Sequence, residues 1–130
     1  MKRLMFLAVI LISALTTYSQ GIEFSHNISF EEACKKAQEE NKNIFVDVYT
    51  TWCGPCKVLA KEVFPQKMVG DYFNKNFVSL SLDAEKDTSN GFFRQYQAGA
   101  FPSLFWLSSK GELLDSHTGM LSPEGLVETS

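Results

Sequence analysis

Trp52-Cys53-Gly54-Pro55-Cys56-Lys57 follows directly on a run of β-branched and aromatic residues, Ile44-Phe45-Val46-Asp47-Val48-Tyr49-Thr50. Two cysteines separated by two residues at such a point read as a redox-active dithiol. The spacing has a chemical reason. Pro55 suits the first turn of a helix. If a helix starts inside the motif, Cys53 sits at its N-terminus, where unpaired N–H groups and the dipole favour a thiolate. A free cysteine titrates near pH 8.5, and such motifs lower the value to roughly 3.5–7.5. Cys56 lies one turn along, close enough to close a disulfide. Cys53 is then the nucleophile that attacks a substrate disulfide, and Cys56 the thiol that resolves the mixed intermediate.

The elements on either side alternate between helix and strand. The run 44–50 is nearly continuous, as expected for a strand buried on both faces. Before it, Ser29 and Glu32 form a capping box. Phe30, Ala33, Cys34 and Ala37 place an apolar stripe on the helix that follows, and Asn41 and Asn43 end it. After the motif, Val58, Leu59, Glu62 and Val63 continue a helix that Pro65 kinks or ends. A second piece spans 66–74. Phe77 to Leu82 is the next strand, 83–90 a polar connection, and Phe92, Phe93 and Tyr96 a short helix. Ser103 to Leu107 and Glu112 to His117 form a hairpin around Ser108-Ser109-Lys110-Gly111. Ser122-Pro123-Glu124 opens a last helix. No internal repeat, low-complexity segment or second domain is visible.

At 130 residues, 45% of them hydrophobic and eleven of them Phe, the chain fits one domain with a real core. Three cysteines are too few for a disulfide scaffold. A formal charge of −3 leaves no basic footprint for nucleic acid. Lys2-Arg3, the apolar stretch Leu4 to Leu15 broken only by Ser13, and Thr16-Thr17-Tyr18-Ser19 have the order of a secretory signal. Residues 1–19 are therefore expected to be a signal peptide cleaved near 19–21, leaving a domain over 21–130. The apolar stretch is short for a membrane span of about 20 residues; an uncleaved anchor is the other reading. No cysteine lies near the cleavage zone to carry a lipid. Cleavage leaves 10 basic residues against 15 acidic ones, a net charge of −5. The expected location is exported, periplasmic or secreted, with no stable membrane insertion after cleavage.

Asp47 to Lys57, Phe101-Pro102-Ser103 and the hairpin from Lys110-Gly111-Glu112 to Gly119 together resemble the thioredoxin-fold family. Phe30-Glu31-Glu32-Ala33, Asn41-Lys42-Asn43-Ile44 and Lys61-Glu62-Val63-Phe64 are similar to an exported subgroup. That subgroup includes the C-terminal domain of the membrane transporter that carries electrons to periplasmic disulfides. The resemblance implies an α/β thioredoxin-like fold, a central mixed sheet flanked by helices. It places Cys53 at an exposed helix end. It also implies a cis Phe101–Pro102 bond facing the cysteines, with the backbone of Phe101 open to an incoming substrate strand. Ser103 stands where the family has Thr. Gly54 and Pro55 are similar to the spacer of reducing members, in a group whose potentials span about −270 to −120 mV. Asp47 matches the family's buried acid, which moves a proton to or from the resolving cysteine. A residue tied down by hydroxyls of Thr50 or Ser79 is the alternative. The family's lysine near this acid is replaced by Ser79. Relatives close the sheet with a longer last helix, so a shortened one would expose apolar sheet surface here unless the natural domain is cut.

The other candidates are weaker. Trp52 is expected to cover the active-site rim and to touch substrate together with Gly54, Pro55, Phe101 and Pro102. Lys57 favours the thiolate or is a solvated helix residue. Cys34 reads as a small core hydrophobe, and Glu62 as a surface charge. A zinc site would need two more ligands than Cys53 and Cys56. Only Cys34, His26 and His117 are available, at no matching spacing, so no metal and no cofactor is expected. The leading function is a thiol–disulfide oxidoreductase, in the reducing direction and monomeric. Its partners would be disulfide-containing exported proteins and a membrane-linked dithiol donor. The alternative is an exported binding or chaperone-like module with a structural disulfide.

Overall fold

Helix α1 (Phe30–Glu40) begins where its sequence places it. The Ser29 hydroxyl accepts from the Glu32 N–H at 3.1 Å, and the Glu32 carboxylate accepts from the Ser29 N–H at 2.7 Å. Asn41 ends it in the left-handed conformation, φ 54°, which asparagine tolerates better than most residues. The computed structural model describes residues 20–130. The signal peptide expected at 1–19 lies outside them.

Four strands follow in a single sheet of order β2-β1-β3-β4: β1 (Asn43–Tyr49), β2 (Phe77–Asp83), β3 (Ser103–Leu107) and β4 (Leu113–Thr118). β1 runs parallel to β2 and antiparallel to β3, and β3 and β4 form an antiparallel hairpin. The sheet is therefore mixed, with β1 inside it and covered on both faces, as its apolar run requires. The hairpin turns at Gly111, φ 85°, a conformation that costs glycine little.

The period of two along β1 divides the core. Ile44, Val46 and Val48 face one side with Val78, Leu80, Leu82, Phe105 and Leu107, beneath α1 and Phe92 of the short helix α4 (Phe92–Gln95). Phe45 faces the other side with Leu104, Trp106, Leu59, Phe64, Phe73 and Leu126. Asp47, two residues beyond Phe45, shares its face. That face is the one covered by the helices that follow the cysteine motif.

Those helices are α2 (Gly54–Val58), a π-helical turn over Leu59–Val63, and α3 (Lys67–Asn76). The Phe64 N–H donates to the Leu59 carbonyl, five residues back, at 2.9 Å. Pro65 then ends the helix, since it has no N–H to continue the ladder, and α3 starts one residue later than the sequence suggests. Helix α5 (Pro123–Thr129) is capped by the Ser122 hydroxyl, which accepts from the Gly125 N–H at 3.0 Å. It is seven residues long. Leu126 is fully buried, and Leu104 and Trp106 beneath it are 0% and 2% exposed. The expected exposure of apolar sheet surface therefore does not occur at these residues, which pack in one cluster with Leu126, Leu121 and Val127.

Residues 20–27 run along the outer edge of β2 as a strap. The Ile22 N–H donates to the Phe64 carbonyl at 2.9 Å and the Ser25 N–H to the Ser79 carbonyl at 2.8 Å. Phe24 forms a parallel bridge with Ser79. Gly21 permits this, because a β-carbon there would lie 2.6 Å from the Phe64 carbonyl oxygen and from the Pro65 Cα.

Candidate active site

Cys53 and Cys56 are joined as a disulfide, their Cα atoms 5.3 Å apart. The chain leaves β1, turns through Thr50 to Trp52, and enters α2 with Cys53 as its N-cap and Pro55 in its first turn. The Cys56 N–H donates to the Cys53 sulfur at 3.1 Å. An N–H aimed at that sulfur stabilises the thiolate that remains when the disulfide opens. The spacing thus has the geometric result read from it. Exposure of Cys53 does not match the expectation. In the disulfide form Cys53 is 4% and Cys56 6% exposed. The bond turns each sulfur toward the other. Gly54 and Pro55 stand exposed beside them, and a β-carbon at Gly54 would meet nothing within 4 Å.

The mouth is built from three separate stretches. The Phe101–Pro102 bond is cis, as the resemblance implies, and Pro102 is buried. The Pro102 carbonyl accepts from the Gly119 N–H at 2.9 Å, and the Ser103 hydroxyl donates to the Ala100 carbonyl at 2.6 Å, so this loop is fixed at both ends. Trp52 is 67% exposed. Its ring meets Phe101 edge-to-face at 5.9 Å, and its indole N–H donates to the Glu85 carboxylate at 2.7 Å. Trp52 therefore stands at the rim, as expected, but is steered by a residue that sequence reasoning passed over. Glu85 is held by Asp83, whose carboxylate accepts from the N–H groups of Glu85 and Lys86 at 2.8 and 3.2 Å. An aspartate at a strand end before polar residues is a turn signal; it could have located the loop, though not its target.

Asp47 is 5% exposed. The Ser81 hydroxyl donates to one carboxylate oxygen at 3.1 Å. The other, Oδ1, is buried with no hydrogen-bond partner. Burial raises the pKa from 3.8 to about 7, against the smaller lowering by Ser81. The expected hydroxyl partners are corrected. Ser79 pairs with Phe45 and not with Asp47, whose register partner is Ser81. The Thr50 hydroxyl, like that of Ser79, is buried without a partner.

Asp47 and Cys56 open onto one cleft of about 670 Å³. Ser81, Thr50, Lys57 and, from the strap, His26 also line it. The sequence reading placed Asp47 and Cys56 in one site but missed the cleft and His26. The other candidates lie away from it. Cys34 packs half-buried on α1, its pKa raised by burial and by Glu31. A ring nitrogen of His117 lies 3.3 Å from the Met120 carbonyl oxygen. Among the described residues no three His, Cys, Asp or Glu side chains come together as metal ligands would.

The family model described as a thioredoxin-like domain matches residues 30–129. The solution structure of a candidate disulphide-isomerase from Bacteroides thetaiotaomicron superposes with a TM-score of 0.70, covering 83% of this chain and 89% of that one, at 44% identity. Thioredoxin-2 of Pyricularia oryzae is 28% identical over 99 residues, 76% of this chain and 54% of its own length. The thiol:disulfide interchange protein DsbD 2 of Pseudomonas aeruginosa is 26% identical over 100 residues, 76% of this chain and 16% of its own length. The chain thus spans about half or less of the curated relatives that it matches.

Proposed function

The chain belongs to the thioredoxin-like domain family, and from that premise we propose that it is an exported thiol–disulfide oxidoreductase acting in the reducing direction. The observation that carries the reading is the Cys53–Cys56 disulfide at the start of α2, with the Cys56 N–H on the Cys53 sulfur. A dithiol donor opens the bond. The Cys53 thiolate then attacks a substrate disulfide, and one substrate sulfur leaves with the bonding electron pair. Cys56 gives its proton to the Asp47 carboxylate and displaces the second substrate sulfur from Cys53, which restores the disulfide. A carboxyl group titrating at about 7 suits this step, since it can both take and release a proton near neutral pH. The substrate backbone lies along Phe101 and Pro102, under Trp52, as an added strand.

The leader expected at residues 1–19 supports an exported, periplasmic location. The partners are then disulfide-containing exported proteins and a membrane-linked dithiol donor. Reduction of insulin with a dithiol donor tests the proposal. Cys53→Ser is expected to be inactive, while Cys56→Ser traps a mixed disulfide through Cys53. Equal turnover in the wild type and both variants would overturn it.

A further inference from the structure

On the proposed reading Asp47 takes the proton of Cys56 and must release it to act again as a base, yet its free oxygen is buried. The strap supplies a group for this. The strap bridges Phe24 to Ser79, and two residues further along each chain stand His26 and Ser81, which line the same cleft. Ser81 is the register partner of Asp47 and its hydrogen-bond donor. Asp47 and Ser81 are paired across β1 and β2, and both line, with His26, the cleft that Cys56 opens onto. Asn27, φ 57°, follows His26 directly. His26 and Ser81 also line an adjoining polar cleft of about 390 Å³ with Tyr49 and Asp87. His26 is itself exposed.

We propose that His26 acts through Asp47 as a positioning residue, carrying the carboxyl proton through cleft water to the bulk. The inference rests on the reading of Asp47 as the proton acceptor for Cys56. The groups that line the cleft with Asp47 narrow the choice. Ser81 of β2 already donates to Asp47. The Lys57 ammonium of α2 has donors and no acceptor. The Tyr49 phenol of β1 is raised by burial and by Asp83, Asp87 and Asp47, so it keeps its proton. An imidazole can accept at one nitrogen and donate from the other. The step balances. The Cys56 proton passes to Asp47, and the thiolate pair forms the bond to the Cys53 sulfur. The substrate sulfur leaves with the pair of the broken bond and is protonated by water. Asp47 then returns to the carboxylate by giving its proton, through water, to His26, which releases it. Re-reduction by the dithiol donor runs the same path backwards.

Insulin turnover at pH 7 with a dithiol donor, with and without added imidazole, tests this. His26→Ala and His26→Gln are expected to fall roughly tenfold, less than the 10²–10⁴ that direct general acid–base groups contribute. Their melting midpoints should be unchanged. Added imidazole should restore most of the turnover of His26→Ala and leave the wild type unaffected. Asp47→Asn should be slow and not rescued. Wild-type turnover in both histidine variants overturns the inference, as does a loss that imidazole cannot restore or a loss confined to His26→Ala. Wild-type turnover in Asp47→Asn overturns instead the reading of Asp47 on which it rests.

Discussion

Asp47 is the residue at which stability and chemistry conflict. Its folded pKa of about 7 lies above the ordinary value of 3.8, so between these values the folded chain holds a proton that the unfolded chain has lost. Stability from this group is full below pH 4 and falls as the pH rises through 7. At about 1.36 kcal/mol per pH unit the loss amounts to roughly 4 kcal/mol. Asp47→Asn removes the titration. Denaturant unfolding of the disulfide form should therefore show the variant more stable than the wild type by a few kcal/mol at pH 8, with the difference gone by pH 4. A difference that does not change with pH would place the acid in a more solvated setting than its burial indicates. That Asp47 is buried was legible, because it interrupts a run too apolar to face water. Its partner was not. Ser79 and Ser81 lie on the same face of β2, and only the offset between β1 and β2 decides which of them reaches Asp47. Glu85 was hidden for a similar reason: its contact with Trp52 joins loops 33 residues apart.

The elements themselves were largely legible, because caps and breakers mark their ends. The box at Ser29, the left-handed Asn41, Pro55 and Pro65 each act where local chemistry places them. The π-helical turn after α2 was not visible. Successive residues of a regular α-helix lie about 100° apart, so Val63 and Phe64 would stand at opposite margins of one apolar face. The wider turn at Leu59 lets both be buried, at 5% exposure each, and only the tertiary packing demands this. Helix α5 depends on one side chain in the same way. Leu126 is its fully buried residue, packed in the cluster of Phe45, Leu104 and Trp106. Polar ties are few: the Trp106 indole N–H donates to the Ser130 hydroxyl at 2.9 Å. Leu126→Ala should cost about 2–5 kcal/mol in chemical denaturation, with Trp106 fluorescence shifting toward that of a solvated indole. A cost under about 0.5 kcal/mol, the ordinary range for surface substitutions, would show that α5 does not hold that face of the core.

At the scale of the whole molecule, two apolar clusters on opposite faces of one sheet hold the fold, and the disulfide sits at the end of β1, at their edge. The bond joins residues three apart. Closing so short a loop stabilises a chain by only about 2 kcal/mol on the chain-entropy scale. A pair whose oxidation adds so little to folding is easy to reduce, since 30 mV corresponds to about 1.4 kcal/mol for this two-electron couple. Structural disulfides lie below about −300 mV. The potential of Cys53–Cys56 is therefore expected above that value, and the reduced protein should keep its fold with a stability within about 2 kcal/mol of the oxidised form. Equilibration in thiol buffers of known potential, followed by alkylation and denaturant unfolding of each form, measures both quantities. A potential under −300 mV, together with a reduced form that melts far earlier, would make the bond a brace. The site would then belong to a protein-holding module rather than to an enzyme that exchanges disulfides.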